Sequence, residues 1–214
     1  MQLIGMLDSP FVRRVAITLL IAKVPFRHRP ISLFRHIDRF TELSPLLKAP
    51  SLVLDDETVL VESNVILEYL GAIHPAVAAL AIARSGSPLA AARATGIAMT
   101  VAEKAVQAHY ERALRAPEQR NADWMARVGR QLRIGLEALE AEVPETGWIG
   151  GAKIGGADIA VACAWGFAQT TISDLVESVD FRLYPRLSDF CARAEEVREF
   201  RMAPPIDGVT APLG

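Results

Sequence analysis

Ser9 stands directly before Pro10 in "MLDSPFVRR" (residues 6–14), where an apolar opening run gives way to helical spacing. A serine at that corner can do two kinds of chemistry. Its oxygen can accept from a backbone N–H of the first helical turn, a cap worth about 1 kcal/mol that needs no further role. Its hydroxyl can instead donate to a sulfur, and a donor at the positive end of a helix favours thiolate over thiol. Each unit of pKa lowering corresponds to about 1.4 kcal/mol. No His/Asp pair is placed to activate Ser9 itself, so it reads as an electrostatic stabiliser and not a nucleophile. Arg13 and Arg14 follow and could bias the local field toward a thiolate, although most such arginines are solvated or form structural ion pairs.

A second constellation is Glu62-Ser63, ahead of Val65, Ile66, Tyr69, Leu70 and Ile73 at amphipathic helical spacing. Ser63 is the expected N-cap, and such an end presents a hydroxyl and backbone N–H groups to a carboxylate. Glu62 can then take an ammonium. Without a ligand the same two residues are a cap and a solvated charge.

The remaining reactive residues narrow the field. His28, His36, His74 and His109 are scattered and never meet metal-ligand spacing, so no metal site is expected. Cys163 and Cys191 form no CxxC and read as core residues on apolar helix faces. The 23 basic and 25 acidic side chains leave a net charge of −2, which gives no electrostatic footprint for nucleic acid or an anionic membrane. The longest apolar stretch, "PAVAALAIA", is too short to span a bilayer, and "MQLIGML" lacks the basic region of a signal peptide. A cytoplasmic, reduced protein is expected.

These residues need elements to position them. Residues 2–7 read as a strand, Phe11 to Lys23 as a helix started by Ser9 and Pro10, and 24–31 as a second strand, parallel to the first in a right-handed βαβ unit. A loop-rich crossing follows. "SLVL" and "TVLV", separated by Asp55, Asp56 and Glu57, then predict an antiparallel hairpin. Beyond Pro75 the strand signals fade. Ser87 and Pro88 open a helix over about 89–115, and Trp124, Val128, Leu132 and Leu136 step by four along a helix from Asp123 to Val143. "GWIGGAKIGGAD" turns into a helix over 158–171, and Pro185 starts another carrying Leu187, Phe190 and Cys191. The tail 204–214 is irregular, and it either covers a pocket or is loose. The fold class is therefore α/β plus all-α: an α/β domain over 1–80, a linker at 81–88 and an all-helical domain over 89–214.

Three stretches in this order, "SPFVRRVAITLLIAKVPF", "SPLLKAPSLVLDDETVLVESNVILEYL" and "WIGGAKIGGADIAVA", resemble the soluble glutathione transferases, in particular serine-type bacterial members. The resemblance implies a thioredoxin-like N-terminal domain and a cis bond at Ala49-Pro50. The backbone of Ala49 would pair with the cysteinyl part of glutathione. Lys48 would meet the glycyl carboxylate, with His36 in the loop that supplies a second partner for it. Glu62 and Ser63 would hold the γ-glutamyl end, and Ser9 would be the catalytic donor to the sulfur. A small hydrophobic electrophile would sit near Phe11, His109, Tyr110 and Trp165, although an aromatic on a helix is more often a core residue than a pocket one. Glutathione is implied as co-substrate with no permanently bound cofactor, in a homodimeric detoxification enzyme. Dehalogenation or cis–trans isomerisation at the same site, or a non-catalytic carrier or docking role, are the alternatives.

Two departures from the family pattern stand out. Leu47 replaces the glycine common before the lysine, and Gly155 replaces a Ser/Thr cap ahead of Asp158, which can still accept backbone N–H groups. Ser9 occupies the place of the cysteine in glutaredoxins, which excludes dithiol exchange there.

Overall fold

Leu3 and Ile4 are fully buried in β1 (Gln2–Ile4), the strand around which the first part of the chain is built. The computed structural model describes residues 1–172, 179–206 and 210. β1 stops at Gly5, whose φ of +134° turns the chain toward α1 (Pro10–Ile21). A Cβ at Gly5 would lie 2.6 Å from Val12 Cγ2, so only glycine permits this approach of strand and helix. α1 leads to β2 (Arg27–Arg29), which pairs with β1 in parallel, Leu3 opposite His28. β3 (Ser51–Val53) lies antiparallel on the other side of β1, and β4 (Val59–Val61) pairs antiparallel with β3. The sheet order is β2-β1-β3-β4, the expected βαβ unit and hairpin in one four-stranded sheet.

The loop-rich crossing contains a helix that sequence reading missed, α2 (Ile37–Leu43). It buries Phe40 alone, and Phe40 joins Ile4, Ile31 and Val53 in one apolar cluster against which Ala49 packs. A two-turn helix with a single fully buried residue has no periodicity to detect. α3 (Ser63–Ile73) and the short α4 (Pro75–Ala78) follow the hairpin.

The helical part consists of α5 (Pro88–Ala113), α6 (Ala122–Glu142), α7 (Gly156–Ile172) and α8 (Pro185–Glu195). Ala91, Ala94, Ala98, Ala102, Ala105 and Ala108 give α5 a buried small-residue face at steps of three and four. α7 packs on α5 with Ala157, Ala160, Ala164 and Ala168 buried. α6 approaches α5 at Gly135, where a Cβ would meet Val101 Cγ2 at 2.6 Å. Asp158 is buried and accepts from the N–H groups of Ile149 at 2.8 Å and Gly155 at 2.7 Å, so it does the capping work without a Ser/Thr partner. Burial pushes its carboxyl up while those two bonds oppose the shift. Cys163 and Cys191 are buried thiols on α7 and α8. Among the described residues no helix is long and apolar enough to cross a membrane.

The chain forms two compact units, residues 86–194 and a first unit in which residues 1–85 are joined by 195–214. Arg13 explains the joining of the C-terminal segment to the first unit. Buried in α1, it donates through Nη1 and Nη2 to both carboxylate oxygens of Glu195, each at 2.7 Å, and through Nε to the carbonyl of Ala203 at 2.7 Å. Its guanidinium also lies 5.5 Å over the ring of Phe200 in α9 (Arg198–Met202). Replacing Arg13 by Met leaves those acceptors without their donor, and we expect a loss of about 3 kcal/mol. Urea unfolding of Arg13→Met measures it, and a loss below about 1 kcal/mol would show the latch to be incidental.

Candidate active site

Ser9 is the N-cap of α1. Its Oγ accepts from Val12 N–H at 3.4 Å, while its own N–H donates to the Met6 carbonyl at 3.2 Å. The hydroxyl hydrogen of Ser9 has no acceptor among the described residues. Capping uses a lone pair and donation uses the hydrogen, so one serine has capacity for both.

Ser51 Oγ stitches the chain before β3, donating to the Lys48 carbonyl at 2.6 Å and hydrogen-bonded to the Ser44 hydroxyl at 2.8 Å. Leu47 adopts φ +48°, the left-handed region that glycine fills at no steric cost. The Ala49-Pro50 bond is cis, as the family resemblance implies. Ala49 faces the turn after β1, where a Cβ on Gly5 would stand 3.3 Å from its own Cβ. The Lys48 side chain is exposed, and His36 Nδ1 accepts from Ser32 N–H at 3.2 Å at the start of α2.

The start of α3 departs from expectation in one respect. Glu62, not Ser63, is the N-cap: it takes φ +73° and accepts from Asn64 N–H through Oε2 at 3.0 Å. Ser63 is the first helical residue and is buried, its Oγ accepting from Arg14 Nη1 at 3.1 Å. Arg14 Nη1 also donates to Asn64 Oδ1 at 2.7 Å. The helix that begins at Ser9 thus reaches the Glu62–Asn64 turn through one guanidinium. Sequence reading gave Arg14 a field effect, a solvated charge or an ion pair. Its role as a bridge between two helix starts was missed, and the only signal for it was an arginine amid apolar positions of α1.

The aromatic candidates separate. Phe11 is half-buried in α1, and Tyr110 is exposed on α5. His109 is half-buried, edge-on to Phe167 at 6.2 Å. Trp165 is buried, edge-on to Phe181 at 5.3 Å and to Tyr184 at 6.3 Å, which makes it a core ring of the helical unit. Among the described residues no group of three or more His, Cys, Asp or Glu is placed to hold a metal ion.

The fold is that of a known family. Residues 3–78 match the family model of the glutathione S-transferase N-terminal domain, and residues 122–193 that of the glutathione S-transferase C-terminal domain. The chain belongs to the glutathione S-transferase family. Among individual proteins, a maleylacetoacetate isomerase of Pseudomonas aeruginosa is 29% identical over 157 residues, spanning 68% of this chain and 71% of that protein. A glutathione S-transferase of Methylobacterium radiotolerans, solved in complex with glutathione sulfonate, is 26% identical with a TM-score of 0.82, covering 94% of this chain and 92% of that one. A glutathione transferase family member of Pseudomonas fluorescens, solved with S-(propanoic acid)-glutathione, is 28% identical with a TM-score of 0.72 and covers 96% of this chain and 100% of its own.

One buried titratable group braces the turn that carries Ser9. His28 Nε2–H donates to the Gly5 carbonyl at 2.8 Å, and its Nδ1 accepts from Thr210 N–H at 3.1 Å, which fixes the neutral tautomer. The rest of the tail beyond Ile206 lies outside the described residues. Burial lowers the His28 pKa from 6.5, with the Gly5 bond opposing. The unfolded chain therefore takes up this proton first as pH falls, so the contribution of His28 to stability is present above about pH 6.5 and is lost below it. Unfolding at about pH 7.5 and about pH 5.5 is expected to show a loss that is smaller in His28→Gln. An identical loss in both proteins would remove His28 as its source.

Proposed function

We propose that the protein binds glutathione in its N-terminal unit and activates the thiol through the Ser9 hydroxyl for reaction with a small electrophile. The observation that carries this reading is the Arg14 bridge from the helix headed by Ser9 to Ser63 and Asn64. It is supported by the proximity of Ala49 to the Gly5 turn. In this reading Ala49 offers its backbone at the cis bend to the cysteinyl part, and Lys48 meets the glycyl carboxylate. Ser63 and the N-terminal end of α3 receive the γ-glutamyl carboxylate, and Glu62 takes the ammonium. A free thiol with a pKa of about 8.5 is only a few per cent ionised at neutrality, so a lowering of about two units raises the thiolate fraction more than tenfold. The Ser9 donor and the positive end of α1 act in that same direction.

The N-terminal portion, over residues 1–80, carries glutathione in this proposal, and the helical portion after the 81–88 linker carries the electrophile side. His109 and Tyr110 are its candidates there, with Phe11 the candidate in the first portion and Trp165 a support from the core. The name of the Pseudomonas aeruginosa relative favours a second outcome at the same site, cis–trans isomerisation with glutathione regenerated. Product analysis separates them: a conjugate retains the glutathionyl group, whereas an isomerisation leaves glutathione unconsumed.

The test is calorimetric titration with glutathione alongside the ultraviolet thiolate signal. The unmodified protein is expected to bind and to show thiolate at neutral pH. Ser9→Gly keeps most of the cap. It should bind comparably while the apparent thiol pKa rises by about one unit or more. An unchanged pKa would leave Ser9 a cap alone. The Glu62→Ala, Ser63→Ala double variant is expected to bind at least about tenfold more weakly, and unchanged affinity would remove that end of the site. We further propose a cytoplasmic homodimer with no permanently bound cofactor. Sedimentation at micromolar concentration should give twice the chain mass, and a monomeric profile refutes it.

A further inference from the structure

The end of α2 leads into the loop that carries Lys48 and Ala49. Ser44 closes that helix, its N–H donating to the Phe40 carbonyl at 2.8 Å. The Ser44 carbonyl accepts from Leu47 N–H at 3.0 Å, across the residue with left-handed backbone. The Ser44 hydroxyl meets Ser51 Oγ at 2.8 Å, and Ser51 Oγ lies 2.6 Å from the Lys48 carbonyl. Both serines are interior groups, 1% and 0% exposed. Burying a hydroxyl is costly unless it is hydrogen-bonded, and these two bond each other.

The hydrogens of this chain follow from the acceptor at its end. A carbonyl only accepts, so the single hydroxyl hydrogen of Ser51 goes to Lys48. The Ser44 hydroxyl is then the donor to Ser51 Oγ, and the order runs from Ser44 to Ser51 to the Lys48 carbonyl. That carbonyl shares one rigid peptide plane with the N–H of Ala49. The peptide is trans, so its C=O and N–H point opposite ways, and a carbonyl tied to buried Ser51 turns the Ala49 N–H away from that serine. Ala49 is half-buried, and its N–H has no acceptor among the described residues. Pro50 has no N–H to offer in its place. Leu47 makes the fastening necessary, because a left-handed residue other than glycine is held at a cost and relaxes when released.

We propose that Ser51, oriented by Ser44, is a positioning residue for glutathione: it sets the plane of the Lys48–Ala49 peptide and so aims the Ala49 N–H at the cysteinyl carbonyl of the tripeptide. A hydrogen bond weakens steeply as its angle falls below about 120°, so the aim of this N–H matters as much as its distance. The inference rests on the glutathione reading and adds to it two buried residues that act through Ala49.

The experiment is titration of the whole protein with glutathione, read by calorimetry and by the backbone amide signals of Ala49 and Ser63. It compares the unmodified protein with Ser51→Ala, Ser44→Ala and the double variant. Ser51→Ala is expected to bind at least about fivefold more weakly. At saturation its Ser63 signal should move as in the unmodified protein, whereas the Ala49 shift should shrink. Ser44→Ala should weaken binding about twofold and should add nothing once the Ser51 hydroxyl is gone, because it acts through that hydroxyl. A merely structural part for the two serines would lower urea stability and leave the affinity of the folded protein, the Ala49 shift and this coupling unmoved. Full affinity in folded Ser51→Ala, an undiminished Ala49 shift, or additive losses in the double variant would overturn the inference. Should Ser51→Ala not fold, unmoved affinity and an unmoved Ala49 shift in Ser44→Ala overturn it as well. Failure of the unmodified protein to bind glutathione is a different result, which removes the glutathione reading and this inference with it.

Discussion

The N-terminal unit depends on the burial of two neighbouring cations in one helix. Arg13 and Arg14 are both buried in α1, and successive helical residues point about 100° apart. A guanidinium removed from water must find acceptors or it costs several kcal/mol. Arg13 finds them in Glu195, Phe200 and Ala203, and so draws the end of the chain onto α1. Arg14 finds them in Ser63 and Asn64, and so brings the start of α3 to the same helix. The geometry around Ser9 follows from both demands, since the helix it caps is held from two directions.

That arrangement is compatible with both readings of Ser9. A cap and a thiol donor use different parts of the hydroxyl, and the capping bond to Val12 at 3.4 Å occupies only a lone pair. Glu62 shows the same economy: Oε2 caps α3, while the carboxylate keeps its second oxygen. The left-handed backbone of Glu62 costs of order 1–3 kcal/mol and persists because β4, the cap and the Arg14 bridge constrain the turn from both sides.

Much of the architecture was legible because its signals are local. Ser9-Pro10 and Ser87-Pro88 start α1 and α5, the acidic break at residues 55–57 separates β3 from β4, and the four-residue step from Val128 to Leu136 lies on the buried face of α6. Asp158 was legible as a structural acceptor for the same reason. What escaped is non-local. α2 has a single buried residue, so its pattern exists only once Phe40 meets Ile4 and Val53. The cap at Glu62 was assigned one residue late, because a serine before an apolar run carries the usual propensity while a glutamate with positive φ does not. The grouping of residues 195–214 with the first unit rests on partners more than 180 positions from Arg13.

The arginines show why residue type alone could not assign these roles. Arg13 and Arg14 stand beside Ser9 in sequence and invite a reading as field sources for a thiolate. Burial gives both a structural part: the Glu195 carboxylate offsets the field of Arg13, and Arg14 is held by Ser63 and Asn64, so each ties α1 to another segment. Arg120 is the opposite case. It is exposed, so water keeps its charge solvated, and among the described residues its guanidinium donates to two carbonyls. A neutral carbonyl orients a cation without cancelling its charge, whereas the Glu195 carboxylate does both. What separates these arginines is therefore their burial and their partners, properties that appear only when the chain has folded.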